Sequence, residues 1–285
     1  MSKVYEWYNS LSKQIRDSIG VTTTLVSIIS SVLSIIGISL GSNGTINIWI
    51  RIFIVLTVYF LIFIISYGVI RKIFKNQITL NIRQTSVSIR EGDIFNAKGY
   101  KVIGCDTHFD TRIDDVVITK NSLHGQLFLK YGRIDEIKVE IEKEANRLGL
   151  SKNKDGLYDF PLGTIIRYDS SIDDQTYLML ALTELDENYE AHTNMAKYEL
   201  TLMKMWKEIS RVYASHDIAL PLLGAGIVRF DDGPKYKDAL LRCILCTLNS
   251  SAVSFNSQVE IVLYDNDNDI SLYEYKDLFR TIPRR

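Results

Sequence analysis

Two apolar runs fall within the first quarter of the chain, and each is long enough to cross a bilayer. Residues 19–40 carry no charged side chain, and residues 46–70 carry only Arg51, near one end. A membrane-spanning helix needs about 20 predominantly apolar residues, because backbone polar groups in lipid must be bonded within the segment. The chain therefore reads as a polar N-terminal segment (1–18), a two-helix transmembrane hairpin (19–70), a linker (71–79) and one soluble module (80–285).

Basic residues fix the expected orientation. Lys3, Lys13 and Arg16 precede the first run, Arg71, Lys72 and Lys75 follow the second, and the connecting loop at 41–45 has none. Such residues collect on the cytoplasmic side, so both termini are expected in the cytoplasm, with the protein multi-pass in the inner (plasma) membrane. A polar, amphipathic start and a second run close behind the first argue against a cleaved signal peptide. Ser30, Ser34, Gly37 and Gly41 lie on one helix stripe of the first run. Small residues let helices approach closely in lipid, which serves either packing within the hairpin or an assembly face.

The 33 basic residues balance 34 acidic ones, so no basic footprint for nucleic acid is present. The 3 cysteines, Cys105, Cys243 and Cys246, are odd in number and form no disulfide framework. Cys243 and Cys246 sit in an apolar run, which reads as one buried helix face; a zinc site needs two further ligands.

Residues 80–285 alternate β-rich runs with helical patterns, which predicts a layered α/β domain. Strands are expected at 87–90, 101–105, 116–118, 164–168, 177–183, 218–222 and 259–264. Ile134, Ile137, Ile141, Ala145 and Leu148 make one helical face, and Met195, Tyr198, Leu202, Met205, Ile209 and Val212 make another. Pro234 suits the first turn of a helix at 235–249.

Three segments carry candidate chemistry. Leu223-Gly224-Ala225-Gly226-Ile227 follows a strand and precedes a helix. That is the setting of a phosphate cradle, and equally of an ordinary strand-to-helix turn. Asp93 and Ile94 follow the first strand; an aspartate there accepts a hydrogen bond from an exocyclic amine or serves its own turn. The third cluster runs through Cys105, Asp106, Thr107, His108, Phe109 and Asp110, and then Asn121, Ser122, Leu123 and His124. Its acids and histidines lack metal-ligand spacing, so hydrogen bonding to a polar ligand group is the better reading and no metal is expected. The sequence has no G-x-S-x-G elbow, H-E-x-x-H or kinase signature.

In combination these landmarks resemble a macro domain. The resemblance implies a three-layer α/β/α fold with a mixed sheet. It implies that Asp93 and Ile94 meet adenine, that Leu223, Gly224, Ala225, Gly226 and Ile227 hold the diphosphate of ADP-ribose, and that Tyr264 stacks on adenine. The family's Asn-Ala-Ala-Asn loop is absent, and residues 105–111 take its place. Together with the hairpin and the segment 121–126, the chain resembles the membrane-anchored macro-domain effectors of type II Thoeris anti-phage defence. That resemblance implies a non-catalytic effector without cofactor. It would be activated by an ADP-ribose derivative, histidine-ADP-ribose, made by a TIR-domain partner, and would act on the bilayer as a homo-oligomer. A tethered ADP-ribosyl hydrolase or a plain anchoring module are the alternatives.

Overall fold

The computed structural model describes residues 8, 11–35, 48–73, 77–115, 117–233, 236–264, 270 and 272–277. The chain forms two compact units, one of residues 1–78 with 271–278 and one of residues 79–270 with 279–285.

The first unit is built on helices α1 (Lys13–Ile35) and α2 (Ile48–Ile73), which pack on each other. Thr23 Oγ1 lies 3.1 Å from the Tyr59 hydroxyl across the pair. The hydroxyls of α1 bond back to carbonyls one turn earlier: Thr22 to Ser18, Thr24 to Gly20, Ser27 to Thr23 and Ser31 to Ser27. A hydroxyl-rich helix thereby satisfies its own polar groups, as an apolar medium requires. One helix among the described residues is long and apolar enough to cross a membrane: residues 52–70 of α2, with mean hydropathy 2.6. The other expected span is helical as far as Ile35. Its remainder, with Gly37, Gly41 and the expected loop, lies outside the described residues, as does the side chain of Ser34. A short 3₁₀ helix, Leu272–Asp277, completes this unit; the Tyr273 hydroxyl donates to the Asp17 carboxylate, and Lys13 lies 5.8 Å from the Tyr273 ring.

The second unit is organised by a mixed sheet. Its strands are β1 (Gln77–Ile82), β2 (Thr85–Glu91), β3 (Tyr100–Asp106), β4 (Ile165–Asp169), β5 (Thr176–Leu185), β6 (Ala191–Thr193), β7 (Ile218–Pro221), β8 (Arg229–Phe230) and β9 (Val259–Leu263). The order is β1-β2-β9-β7-β3-β5-β6-β8, with β4 also paired to β5. Neighbours from β2 to β5 along this path are parallel, while β4 is antiparallel to β5. The run Tyr177 to Leu182 is apolar throughout and buried, as expected of a strand covered on both faces.

Helix α3 (Leu123–Gln126) continues as a π-helical turn, Leu127–Tyr131, and is followed by α4 (Ile134–Leu148), α5 (Met195–Val212) and α6 (Lys237–Ser250). Helix α4 buries Ile137, Ile141 and Ala145 and stops at Gly149, whose φ of 68° is the left-handed conformation that favours glycine. Asn194 caps α5 by accepting the Lys197 N–H at 2.9 Å. Helix α5 meets α6 through buried Trp206, which donates to Thr247 Oγ1 at 3.2 Å.

Four expectations need correction. Residues 117–118 are not a strand, and residue 116 lies outside the described set. Asp114 and Asp115 accept the N–H groups of Val117 and Lys120, each at 2.8 Å; this turn chemistry overrides the β-branched run. Strand β1 begins at Gln77, inside the expected linker. Cys243 is buried but Cys246 is exposed, so the two do not share one buried face. The helix expected from residue 235 begins at Lys237, and Pro234 lies outside the described residues.

Candidate functional site

In an open parallel sheet, ligands bind beyond the carboxyl ends of the strands. The loops leaving β2, β9, β7 and β3 border one cavity of about 580 Å³. Asp93 and Ile94 come from the loop after β2. Asp93 is exposed, and one carboxylate oxygen accepts the Phe95 N–H at 2.9 Å, capping a single 3₁₀ turn. Ile94 is buried beneath it. Tyr264, just past β9, is 69% exposed at the rim.

The loop after β7 forms a second wall, with Leu223, Gly224, Ala225, Gly226 and Ile227 all bordering the cavity. The two glycines differ. Gly224 has φ of +78°, and a methyl there would lie 3.3 Å from the Tyr198 ring. Tyr198 is buried and donates to the Leu223 carbonyl at 2.8 Å, which anchors the loop from below. A Cβ at Gly226 would meet nothing within 4 Å. Lys237, the first residue of α6, borders the same cavity.

A third wall comes from Cys105, Asp106, Asn121, Ser122, Leu123 and His124. Ser122 caps α3, its hydroxyl oxygen accepting the Gly125 N–H at 3.0 Å. The buried Asp106 carboxylate accepts the His108 N–H at 2.7 Å and, more weakly, the Asp110 N–H at 3.3 Å. Burial pushes the Cys105 thiol well above its ordinary pKa, helped by the Asp106 charge, so this cysteine is a neutral apolar wall. Sequence reasoning missed Thr183, Leu185 and Tyr189, which border the cavity from β5 and the loop after it, and Lys237.

Three residues expected in the ligand loop lie elsewhere. Thr107 stitches loops together: its N–H donates to the Thr183 carbonyl at 2.9 Å, and its own carbonyl accepts the Phe160 N–H at 3.0 Å. Phe109, at φ +50°, turns the chain and buries its ring edge-on against Phe160, with centroids 5.1 Å apart. Asp110 then faces a separate cavity of about 770 Å³, bordered also by Arg112, Lys138 and Lys152. Burial pushes the Asp110 carboxyl up, but hydrogen bonds from the Arg112 guanidinium and backbone outweigh it and hold the pKa below its ordinary value. A depressed acid contributes stability above its unfolded pKa and loses it as the pH falls through the folded value. Asp110→Asn is therefore expected to lower stability at pH 7 by about 1–3 kcal/mol, with the deficit disappearing in acid. Denaturant titrations at neutral pH and in acid check this; an equal deficit at both would show that charge is not the cause.

Among the described residues, Asp186, Glu190 and His192 form one cluster whose ligand atoms lie within 4.8 Å of one another. His192 Nδ1 is already 2.7 Å from Asp231 Oδ1, and Glu190 is paired with Arg229. This cluster is an ion-pair network at the surface.

A family model described as the macro domain of the Thoeris protein ThsA matches residues 87–264. A Thoeris protein ThsA from Bacillus amyloliquefaciens (strain Y2) is 33% identical over 224 residues, covering 75% of this chain and 74% of that protein. Solved structures matched by this chain include an Oceanobacillus iheyensis macrodomain with MES bound, at TM-score 0.47 and 15% identity over 71% of this chain and 96% of that one. A Trypanosoma brucei macrodomain in complex with ADP has a TM-score of 0.41 and 10% identity over 67% of this chain and 68% of that one. With a matching model over its α/β unit and a relative aligned along three quarters of its length, the chain belongs to the Thoeris ThsA family and carries that family's macro domain.

Proposed function

We propose that this chain is a membrane-tethered sensor of Thoeris defence whose macro domain binds an ADP-ribose-type nucleotide. The observation that carries the reading is the convergence on one cavity of Asp93, the loop 223–227, Lys237 and Tyr264. In this reading Asp93 accepts from the adenine amino group and Tyr264 supplies an aromatic face. The loop N–H groups, the start of α6 and Lys237 meet the diphosphate. The distal ribose and anything attached to it lie against Asn121, Ser122, Leu123, His124 and Asp106. The ligand so defined is an ADP-ribose derivative, with histidine-ADP-ribose from a TIR-domain partner as the specific candidate.

The reading is non-catalytic. Hydrolysis at the distal ribose would need a group that positions water; Asp106 and His124 border the cavity there, and this reading gives them binding roles. The output is assigned to the membrane. Helix α2 leaves Phe53, Leu56, Phe60, Leu61 and Ile65 largely exposed, an apolar surface that lipid or another helix must cover. Both apolar runs then span, both termini are cytoplasmic, and ligand drives assembly and membrane disruption.

Calorimetry on the full chain in nanodiscs, with ADP-ribose and histidine-ADP-ribose, tests the site. Heat of binding with unchanged nucleotide is expected, and turnover of the ligand would replace the sensor with a hydrolase. Asp93→Ala removes a charged acceptor worth roughly 1.5–3 kcal/mol, so affinity is expected to fall about 10- to 150-fold. Undiminished affinity in that variant would place adenine elsewhere.

A further inference from the structure

His124 borders the nucleotide cavity at the second position of α3. It is 6% exposed, and its Nε2 is buried without a hydrogen-bond partner. The ring is held edge-on by Phe128, with centroids 4.5 Å apart at 83°. The other ring nitrogen, Nδ1, lies 3.7 Å from Asp106 Oδ2. Asp106 is itself fixed by the N–H groups of His108 and Asp110.

A carboxylate beside one imidazole nitrogen draws the ring proton to that nitrogen and leaves the other as an acceptor. Burial lowers the His124 pKa and outweighs the upward pull of the Asp106 and Asp110 charges and of a hydrogen bond to the Asp110 backbone, so the ring is neutral near pH 7. An orphaned buried nitrogen is costly, and on the nucleotide reading His124 is among the cavity residues that lie against the ligand's far end.

We propose that His124 is a specificity-determining residue whose Nε2 accepts a hydrogen bond from a hydroxyl or N–H group beyond the diphosphate, with the nearby Asp106 charge favouring the tautomer protonated at Nδ1. The inference rests on the nucleotide reading of the cavity. It predicts that the site distinguishes ligands by whether they present a donor at this point. A ligand that ends at the diphosphate leaves Nε2 orphaned and gains nothing from His124.

The test compares ADP with ADP-ribose, which adds the distal ribose and its hydroxyls, on the full chain in nanodiscs. His124→Phe keeps a flat ring of similar size and removes the acceptor. It is expected to weaken ADP-ribose at least 10-fold and leave ADP within 2-fold. His124→Gln, which retains an acceptor on a flexible arm, is expected to recover part of the loss; it also serves if the Phe variant does not fold. A pH series gives a second readout. The charged groups facing the ring are Asp106 and Asp110, with His108 on the far side of Asp106, its Nδ1 3.7 Å from Asp106 Oδ1. Protonated Nε2 cannot accept, so wild-type affinity for ADP-ribose is expected to fall in acid, below the ordinary histidine range, while His124→Phe stays flat. Equal losses for ADP and ADP-ribose, or none for either, would overturn the proposal and leave the nucleotide site standing. Failure of both ligands to bind the wild-type chain would overturn the nucleotide site and the proposal with it.

Discussion

Gly226→Glu is expected to abolish nucleotide binding, with a loss of at least about 100-fold in affinity, while leaving the domain folded. The fold tolerates the change because a side chain at this position enters open space. Gly226 borders the cavity, so that open space is where the diphosphate is placed. A carboxylate set against a diphosphate suffers like-charge repulsion of several kcal/mol, besides occupying the volume. Gly224 is the wrong position for this test. Its positive φ and the rings of Tyr198 and Phe230 beneath it make any side chain there a lesion of the loop itself. Gly226→Ala is the control, expected to bind within a few-fold of wild type. Calorimetry with ADP-ribose and a thermal melt on the same preparations decide the matter. Wild-type affinity in a folded Gly226→Glu chain would move the phosphate site away from this loop.

The parts of the fold that were legible in the sequence are those with a period. The faces of α4 and α5 recur at helical spacing, and β5 holds an unbroken apolar run from Tyr177 to Leu182, so burial alone identifies them. Strands β6 and β8 span Ala191–Thr193 and Arg229–Phe230; segments so short have no period, and only their pairing with each other and with β5 makes them strands. The site divides in the same way. Asp93 and the glycine loop were legible because a capping aspartate and a glycine turn leave local marks. The stretch 105–111, with Asp106, His108 and Asp110, reads as one ligand loop. The left-handed turn at Phe109 splits it, leaving Asp106 on one cavity and Asp110 on another. Thr183, Leu185 and Tyr189 carried no local mark at all, since they reach the cavity only through the pairing of β5 beside β3.

In liposomes, the full chain is expected to release a trapped dye when nucleotide is added and to remain silent without it. A ligand shifts a conformational or assembly equilibrium only by the difference in its affinity for the two states. If nucleotide gates the bilayer, the helical unit must therefore have two arrangements, and its helix contacts decide between them. The hydroxyls of α1 at Thr22, Thr24, Ser27 and Ser31 are satisfied within the helix, so they do not oblige it to pair with one fixed neighbour. Thr23 likewise donates to the Ile19 carbonyl at 2.8 Å, and it also lies 3.1 Å from the Tyr59 hydroxyl on α2. In the sequence, Ser30 and Ser34 fall on one small-residue stripe, a pattern that lets helices approach closely in lipid. Replacing both serines with leucine keeps the helix apolar and long enough to span but prevents that approach. Dye release is expected to fall to the ligand-free level, with the affinity for ADP-ribose within 2-fold of wild type. Cross-linking in the same vesicles should show the nucleotide-dependent oligomer lost together with the leak. If the double variant leaks as the wild type does, the stripe packs the hairpin and the assembly face lies elsewhere. If saturating nucleotide changes neither oligomer size nor leakage in the wild-type chain, the macro domain does not gate the membrane.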